Sequence, residues 1–338
     1  MINYVAYLEK KFNRGTPDTY KAIMKIFYKW FYSNYMRWKP LHERDFPELV
    51  AWMKIRTNNG HKKLPEELLT QEDVKKLVEY THSFRNKALI MLLYDGALRI
   101  SEALDIKLKH LVFDDYGGCV IVDGKTGMRK LRLIDSIPYL KEYINKEYPF
   151  KDDPDKNLFV VIEGIGVKKD AIGHRLDDRG VRIAFNRIKA RAGIKKKVNP
   201  HLFRHSRLTE LAKYLTEQEL KIFAGWTAGS NMAQVYIHLS GKDVEDKILE
   251  HNGLKKTKDM QVKDTLKPKR CIDPSCNHLN PSTNKFCSKC HRPIEIKEIM
   301  QIEEEQLIFN KVKEKAILEK LDINEILDEI IETKLKNR

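Results

Sequence analysis

His201-Leu202-Phe203-Arg204-His205-Ser206 stands at the head of a segment, Leu202 to Tyr214, whose apolar residues recur at helical spacing. Three positions separate His201 from Arg204, so on one helix they point the same way. Toward the C-terminus, Glu217 to Ala224 and Met232 to Leu239 are again helical in pattern. Gly225-Trp226-Thr227 lies between them, and Tyr236 follows ten residues after Trp226. Toward the N-terminus, Val181 to Ala192 has the same period. Residues 119–122 and 130–134 alternate like strands around Asp123-Gly124-Lys125-Thr126-Gly127-Met128-Arg129, which predicts a hairpin with a loop of several residues. Further back, Asp95-Gly96 breaks an apolar helix beginning near Phe84, and a short helix restarts at Arg99 within Tyr94-Asp95-Gly96-Ala97-Leu98-Arg99-Ile100-Ser101-Glu102-Ala103-Leu104. Thr70, followed by Glu72 and Asp73, has the form of an N-cap. The pattern predicts a mainly α domain with one small antiparallel sheet.

The 338 residues leave room for two globular domains and an appendage. A net charge of +15 favours polyanions, either nucleic acid or an anionic membrane surface. No apolar run approaches the roughly 20 residues of a membrane span, and the N-terminus has no secretion signal. Residues 1–58 read as a helical domain, with Tyr20, Ile23, Phe27, Trp30 and Phe31 as its apolar stripe and Lys21, Lys25 and Lys29 interleaved. The polar segment 57–65 reads as a linker to a domain over 64–250. A lysine-rich tether over 252–270, a cysteine module over 271–293 and amphipathic helices over 295–338 follow.

Residues scattered along the chain supply one kind of chemistry. A phosphodiester under attack gathers negative charge on its non-bridging oxygens, and arginine meets it with two parallel hydrogen bonds and a permanent charge. A nucleophile, a base and an acid must accompany it. Arg99, His201, Arg204 and Tyr236 are the candidates the sequence offers for these parts. Each alone is more often a surface or packing residue; the conjunction in one order is what carries weight.

That conjunction resembles the active site of the tyrosine recombinases, or phage integrases. The family shows an arginine in a Gly-Leu-Arg-x-Ser-Glu-like box, a His-x-x-Arg box, a Gly-His or Gly-Trp pair, and a tyrosine shortly after. The resemblance covers roughly residues 60 to 245. It implies a tyrosine-recombinase catalytic fold behind an N-terminal helical core-DNA-binding domain. It also implies that Arg99 and Arg204 clamp the scissile phosphate, that His201 is base or proton shuttle, and that Trp226 donates its indole N–H. Lys125 would be the acid for the 5′ oxygen, with Arg129 and Lys130 close by as competitors. Tyr236 would form a 3′-phosphotyrosine, and Glu102 would orient its neighbours. Gly-Ala-Leu-Arg replaces the commoner Thr-Gly-Leu-Arg, which reads as a neutral change. The role of His238 stays open. The implied partners are double-stranded DNA and further copies of the chain, in a tetramer on two sites. No catalytic metal or ATP is implied. A catalytically silent DNA-binding regulator and a monomeric type IB topoisomerase are the alternatives.

Cys271-x4-Cys276 and Cys287-x2-Cys290 form two knuckles that suit tetrahedral zinc, in a module that resembles a zinc ribbon; the first knuckle is longer than the common Cys-x2-Cys, which leaves His278 or His291 as substitute ligands. The fifth cysteine, Cys119, reads as a core residue. So few cysteines, four of them clustered, suit a reducing, cytoplasmic setting.

Overall fold

A computed structural model describes residues 1–12, 15–40, 43, 45–55, 65–164, 167–239, 252, 265–296, 300 and 306. The chain divides into two compact units, Met1–Lys63 and Leu64–Arg338. All but Pro65 of the expected linker at 57–65, most of the tether and nearly all of the C-terminal helices lie outside the described residues.

In the first unit, α1 (Ile2–Lys11), α2 (Thr16–Tyr35) and a short α3 (Glu48–Ala51) enclose a small core. That core is Val5, Val50 and Met53, with Met24, Tyr28 and Phe46 packed against it. The apolar stripe foreseen in α2 is not the buried face. Ile23 is 57% exposed and Phe27 51%, and Tyr20 and Trp30 are exposed too, whereas Lys21 is buried. Lys21 tolerates this because its ammonium lies 2.5 Å from Glu9 and 3.8 Å from Asp18. Periodicity marked the helix correctly but could not say which face a short unit would cover.

The second unit is built around α5 (Phe84–Asp95), whose residues from Ala88 to Asp95 are all buried. A helix apolar on every side belongs at a centre, and α4 (Gln71–Glu79), α7 (Ile137–Lys146) and α9 (Pro200–Leu211) pack around it. The Thr70 cap of α4 is a reciprocal box with Asp73. Helices α5 and α7 hold each other by their ends. Glu147, just past α7, accepts the backbone N–H groups of Phe84 and Arg85 at 2.9 and 2.8 Å. Asp95, at the end of α5, accepts those of Ile134 and Ser136 at 3.0 Å, together with the Ser136 hydroxyl. Each carboxylate thus meets orphan donors at the positive end of the other helix.

Three antiparallel strands, β1 (Leu111–Asp114), β2 (Gly117–Gly124) and β3 (Gly127–Leu133), lie in the order β1-β2-β3. Gly124 pairs with Gly127, so the hairpin turn is Lys125-Thr126 alone, shorter than the sequence suggested. Its strands run to the tip because glycine at both ends permits the tight reversal. Cys119 is buried on β2, as expected. The helices α6 (Ile100–Leu104), α8 (Asp178–Arg191), α10 (Glu217–Ala224) and α11 (Met232–Leu239) complete the domain. Ala97, Leu208, Ala212, Leu220, Ala224, Ala233 and Tyr236 form a second, smaller core where α9, α10 and α11 meet. No helix among the described residues is long and apolar enough to cross a membrane.

The end of the predicted tether is not free. Leu266 is fully buried in the main core, and the Thr265 N–H reaches the Gln71 side chain. The cysteine module with strands β4 (Lys269–Arg270) and β5 (Leu279–Asn280) then docks on α7. Tyr139 hydrogen-bonds to Ser282 and Thr283, and Asn284 donates to Glu142 at 2.9 Å.

Candidate active site

A carboxylate organises the centre. Glu102, on α6, is buried and accepts hydrogen bonds from the Arg99 backbone N–H at 3.0 Å and the Arg99 guanidinium at 2.6 Å. Arg129, from β3, donates to both its oxygens at 3.2 and 2.9 Å. Arg204 comes within 4.0 Å. Burial alone would raise this carboxyl; the hydrogen bonds from Arg129 and Arg99 outweigh it and hold the group below the usual carboxylate range. Glu102 therefore stays ionised and gathers three guanidinium groups, from the residue that caps α6, from β3 and from α9.

Arg204 is fixed by backbone. Its two terminal nitrogens donate to the carbonyls of Ala97 at 2.6 Å and Ala224 at 2.7 Å. Burial, with Arg99 nearby, pushes it down to about 10, and it remains cationic at neutral pH. Ala97 holds its carbonyl toward Arg204 from a left-handed backbone, φ +45°, a conformation that glycine adopts freely and alanine does not. The exchange of the family's glycine for Ala97 therefore sets backbone strain against burial of a methyl group. Strain relief of about 1–2 kcal/mol would offset the lost methyl burial of about 0.8 kcal/mol and the gain in unfolded-state entropy. Ala97→Gly should accordingly change stability by less than about 1 kcal/mol, whereas a β-branched Ala97→Val should cost more than about 2 kcal/mol. Denaturant midpoints of the two variants check this.

Gly225 ends α10 with φ +64°. A Cβ there would sit 2.6 Å from the Arg129 guanidinium, so both the backbone and the close approach require glycine. Arg129 also donates to the Phe223 carbonyl at 3.2 Å. On the same corner, the Thr126 hydroxyl donates to the Gly225 carbonyl at 3.0 Å. These two contacts tie the hairpin tip, which carries exposed Lys125, to the α10–α11 corner that carries Trp226.

Tyr236 is 2% exposed. Its ring stacks on two others: Trp226 at 5.4 Å and 24°, and His205 at 5.4 Å and 27°. Arg204 sits over the Trp226 ring at 5.7 Å. Burial pushes the phenol up to about 12, while the charges of Arg204 and Arg99 act in the opposite direction. The Tyr236 hydroxyl lies 2.8 Å from His205 Nδ1. His201, one turn earlier on α9, is exposed and meets His205 edge to face at 4.4 Å.

Arg99, Arg204, Trp226 and Tyr236 thus converge from separate parts of the chain, with His201 one ring away and Lys125 on the tied hairpin. Sequence reasoning missed Arg129 as the bridge and His205 as the neighbour of the phenol. The available signal for His205 was its position four residues after His201, on the same face. The side chain of His238 lies outside the described residues.

The model of the phage integrase family matches residues 67–242, more than half of the chain. The chain belongs to the phage integrase family. Among relatives, it is 28% identical over 217 residues to the tyrosine recombinase XerC of Lactobacillus delbrueckii subsp. bulgaricus, covering 62% of this chain and 66% of that one. The tyrosine recombinase XerC of Anoxybacillus flavithermus is 31% identical over 222 residues, covering 62% and 68%. The chain spans about two thirds of the length of the first of these relatives. Among solved structures, the XerH site-specific recombinase bound to palindromic difH substrate is similar with TM-score 0.54 and 19% identity, over 74% of this chain and 70% of that one. The Tn1549 transposon integrase in complex with transposon right end DNA gives TM-score 0.52 and 19% identity, over 75% and 83%. These likenesses establish the integrase catalytic fold.

The cysteine module gathers Cys271, Cys276, Cys287 and Cys290 so that their sulfurs lie within 4.8 Å of one another. The Cys271–Cys290 and Cys276–Cys287 pairs are 3.5 and 3.8 Å apart. Sulfurs about 2.3 Å from a tetrahedral zinc stand about 3.8 Å apart, so the residues fit that ion. The donor set is complete with four thiols, and neither His278 nor His291 joins the group. Buried Asn280 donates to Cys287 Sγ at 3.6 Å and accepts from the Ser288 N–H at 2.8 Å, which orients the second knuckle.

Proposed function

We propose that this chain is a site-specific DNA recombinase that cuts and rejoins strands through a 3′-phosphotyrosine at Tyr236. The observation that carries the reading is the convergence of Arg99 and Arg204, fixed by Glu102 and backbone carbonyls, beside a phenol stacked on Trp226. The arginines bind the non-bridging oxygens and stabilise the charge of the pentavalent state. Their geometry costs little to hold, since each guanidinium is already fixed by other contacts. Tyr236 attacks phosphorus, and Lys125 protonates the departing 5′ oxygen. The 5′ hydroxyl of the partner strand then attacks the phosphotyrosine; the ester bond is conserved, so rejoining needs no nucleotide. Trp226 cannot exchange a proton at neutral pH, and it serves by packing and by its N–H.

The net charge of +15 supports a duplex as partner. Pairwise strand exchange requires further copies of the chain, in a tetramer on two sites. The domain organisation that supports this is a helical DNA-binding unit followed by the catalytic unit. The test uses supercoiled plasmid carrying a duplex recovered from a randomised pool by binding to the full chain. Recombinant product together with a covalent protein–DNA band supports the recombinase. Relaxation without recombinant product favours a type IB topoisomerase, and binding with no covalent band a silent regulator.

Cys271, Cys276, Cys287 and Cys290 hold a structural zinc, which supplies folding energy to the module and no step of the reaction. Elemental analysis should find one zinc per chain. Cys287→Ser should release it and lower the melting temperature of the catalytic unit, because the module is docked on α7. A metal-free chain with unchanged melting temperature would remove this part of the proposal.

A further inference from the structure

We infer that His205, rather than His201, is the group that takes the proton from Tyr236 when the phenol attacks. The inference rests on the recombinase reading above and assigns one step of it. Three observations carry it. The His205 Nδ1 and the Tyr236 hydroxyl are 2.8 Å apart, the distance at which a proton passes directly. The two rings are inclined by only 27°, and Trp226 also stacks on the phenol at 5.4 Å, so contacts with both rings hold Tyr236 in place. His205 is half-buried on α9 immediately after Arg204, so the residue that anchors the phosphate clamp also fixes the base.

The step balances as follows. Tyr236 donates its hydroxyl hydrogen to the Nδ1 lone pair, and His205 carries its other proton on Nε2. As the Tyr236 oxygen bonds to phosphorus, the O–H bond breaks toward Nδ1 and an imidazolium forms. The bond from phosphorus to the 5′ oxygen breaks, and that oxygen takes its proton from Lys125. In rejoining, the incoming 5′ hydroxyl returns a proton to Lys125, and the imidazolium reprotonates the departing Tyr236 oxygen. A neutral imidazole keeps one ring nitrogen free to accept a proton, which suits it to this task. His201 stacks edge-on against His205 and is exposed, which suits contact with the phosphate or stabilisation of the imidazolium.

The experiment measures covalent adduct formation by the full chain on the duplex selected above. The duplex is made once with the natural scissile phosphate and once with sulfur replacing the bridging 5′ oxygen. A thiolate leaves without a proton, so the sulfur duplex relieves a missing acid but not a missing base. His205→Ala is expected to slow adduct formation about 10²-fold or more on both duplexes. Lys125→Ala should be slow on oxygen and restored on sulfur. His205→Gln, whose amide can hold the phenol but cannot take its proton, should be no faster than His205→Ala. Either a His205→Gln variant within a few-fold of wild type or a His205→Ala variant restored by sulfur overturns the inference.

Duplex affinity of the variants shows whether they are folded. The wild-type protein supplies a measurement independent of them: nitrogen NMR of His205 should show Nδ1 as the unprotonated acceptor, and a protonated Nδ1 would overturn the inference. An adduct from wild type with undiminished rate in His205→Ala removes this inference alone. No adduct from wild type on any selected duplex would remove the recombinase reading itself.

Discussion

Tyr236→Phe is expected to abolish covalent attachment to DNA, by at least about 10³-fold, while the protein folds and binds duplex as before. The ring is what the small core beneath α11 requires: it stacks on Trp226 and His205 and lies among Leu208, Ala212, Leu220 and Ala224. Phenylalanine keeps those contacts. The hydroxyl contributes one hydrogen bond, to His205, whose loss costs about 1 kcal/mol. A large effect on cleavage with a small one on stability separates the nucleophile from a packing residue. Loss of fold in this variant would mean that burial, not chemistry, explains the residue. Burial of Tyr236 works against ionisation of its phenol, and the charges of Arg204 and Arg99 act in the opposite direction.

Glu102→Ala is the second large effect. It removes the single carboxylate that Arg99 and Arg129 share and that Arg204 approaches. Three guanidinium groups would face one another without compensation, and the loss should exceed about 3 kcal/mol of stability. Strand cleavage should also fall, since both phosphate clamps would lose their support. Glu102→Gln keeps the shape and part of the hydrogen bonding, and should cost less. The pH dependence has a definite sign. A carboxyl held below its unfolded value adds stability above that value and adds less as pH falls through the folded one. The stability gap between wild type and Glu102→Gln should therefore narrow as pH drops below about 4. Chemical denaturation at a series of pH values measures it; a gap that widens on acidification would contradict the role given to this residue.

Much of the catalytic unit was legible because its signals are local. Helical spacing located α10 and α11, and turn residues located the hairpin. The convergence of Arg99, Arg204 and Tyr236 was legible only through the family pattern, since no local rule joins residues so far apart in sequence. Other features depended on contacts that spacing does not encode. His201 and His205 share one helical face, and only the position of α11 decides which meets the phenol. Arg129 lay among Lys125 and Lys130 in a turn whose length was misjudged, so its reach to Glu102 was hidden. Leu266 sits in a lysine-rich stretch that resembles a tether, yet it is buried in the main core. The exposed aromatic face of α2 contradicts the expectation that an apolar stripe turns inward, because the short first unit covers the opposite face instead.

The most direct test is to trap the covalent complex, digest both components, and identify the attached peptide by mass spectrometry. The chain has 14 tyrosines, but the tryptic peptide 222–242 contains Tyr236 alone. A nucleotide-bearing peptide 222–242, modified at the phenolic oxygen and linked to a 3′ phosphate, is the expected result. Attachment at any other residue, or strand breaks that carry no protein, would contradict the account.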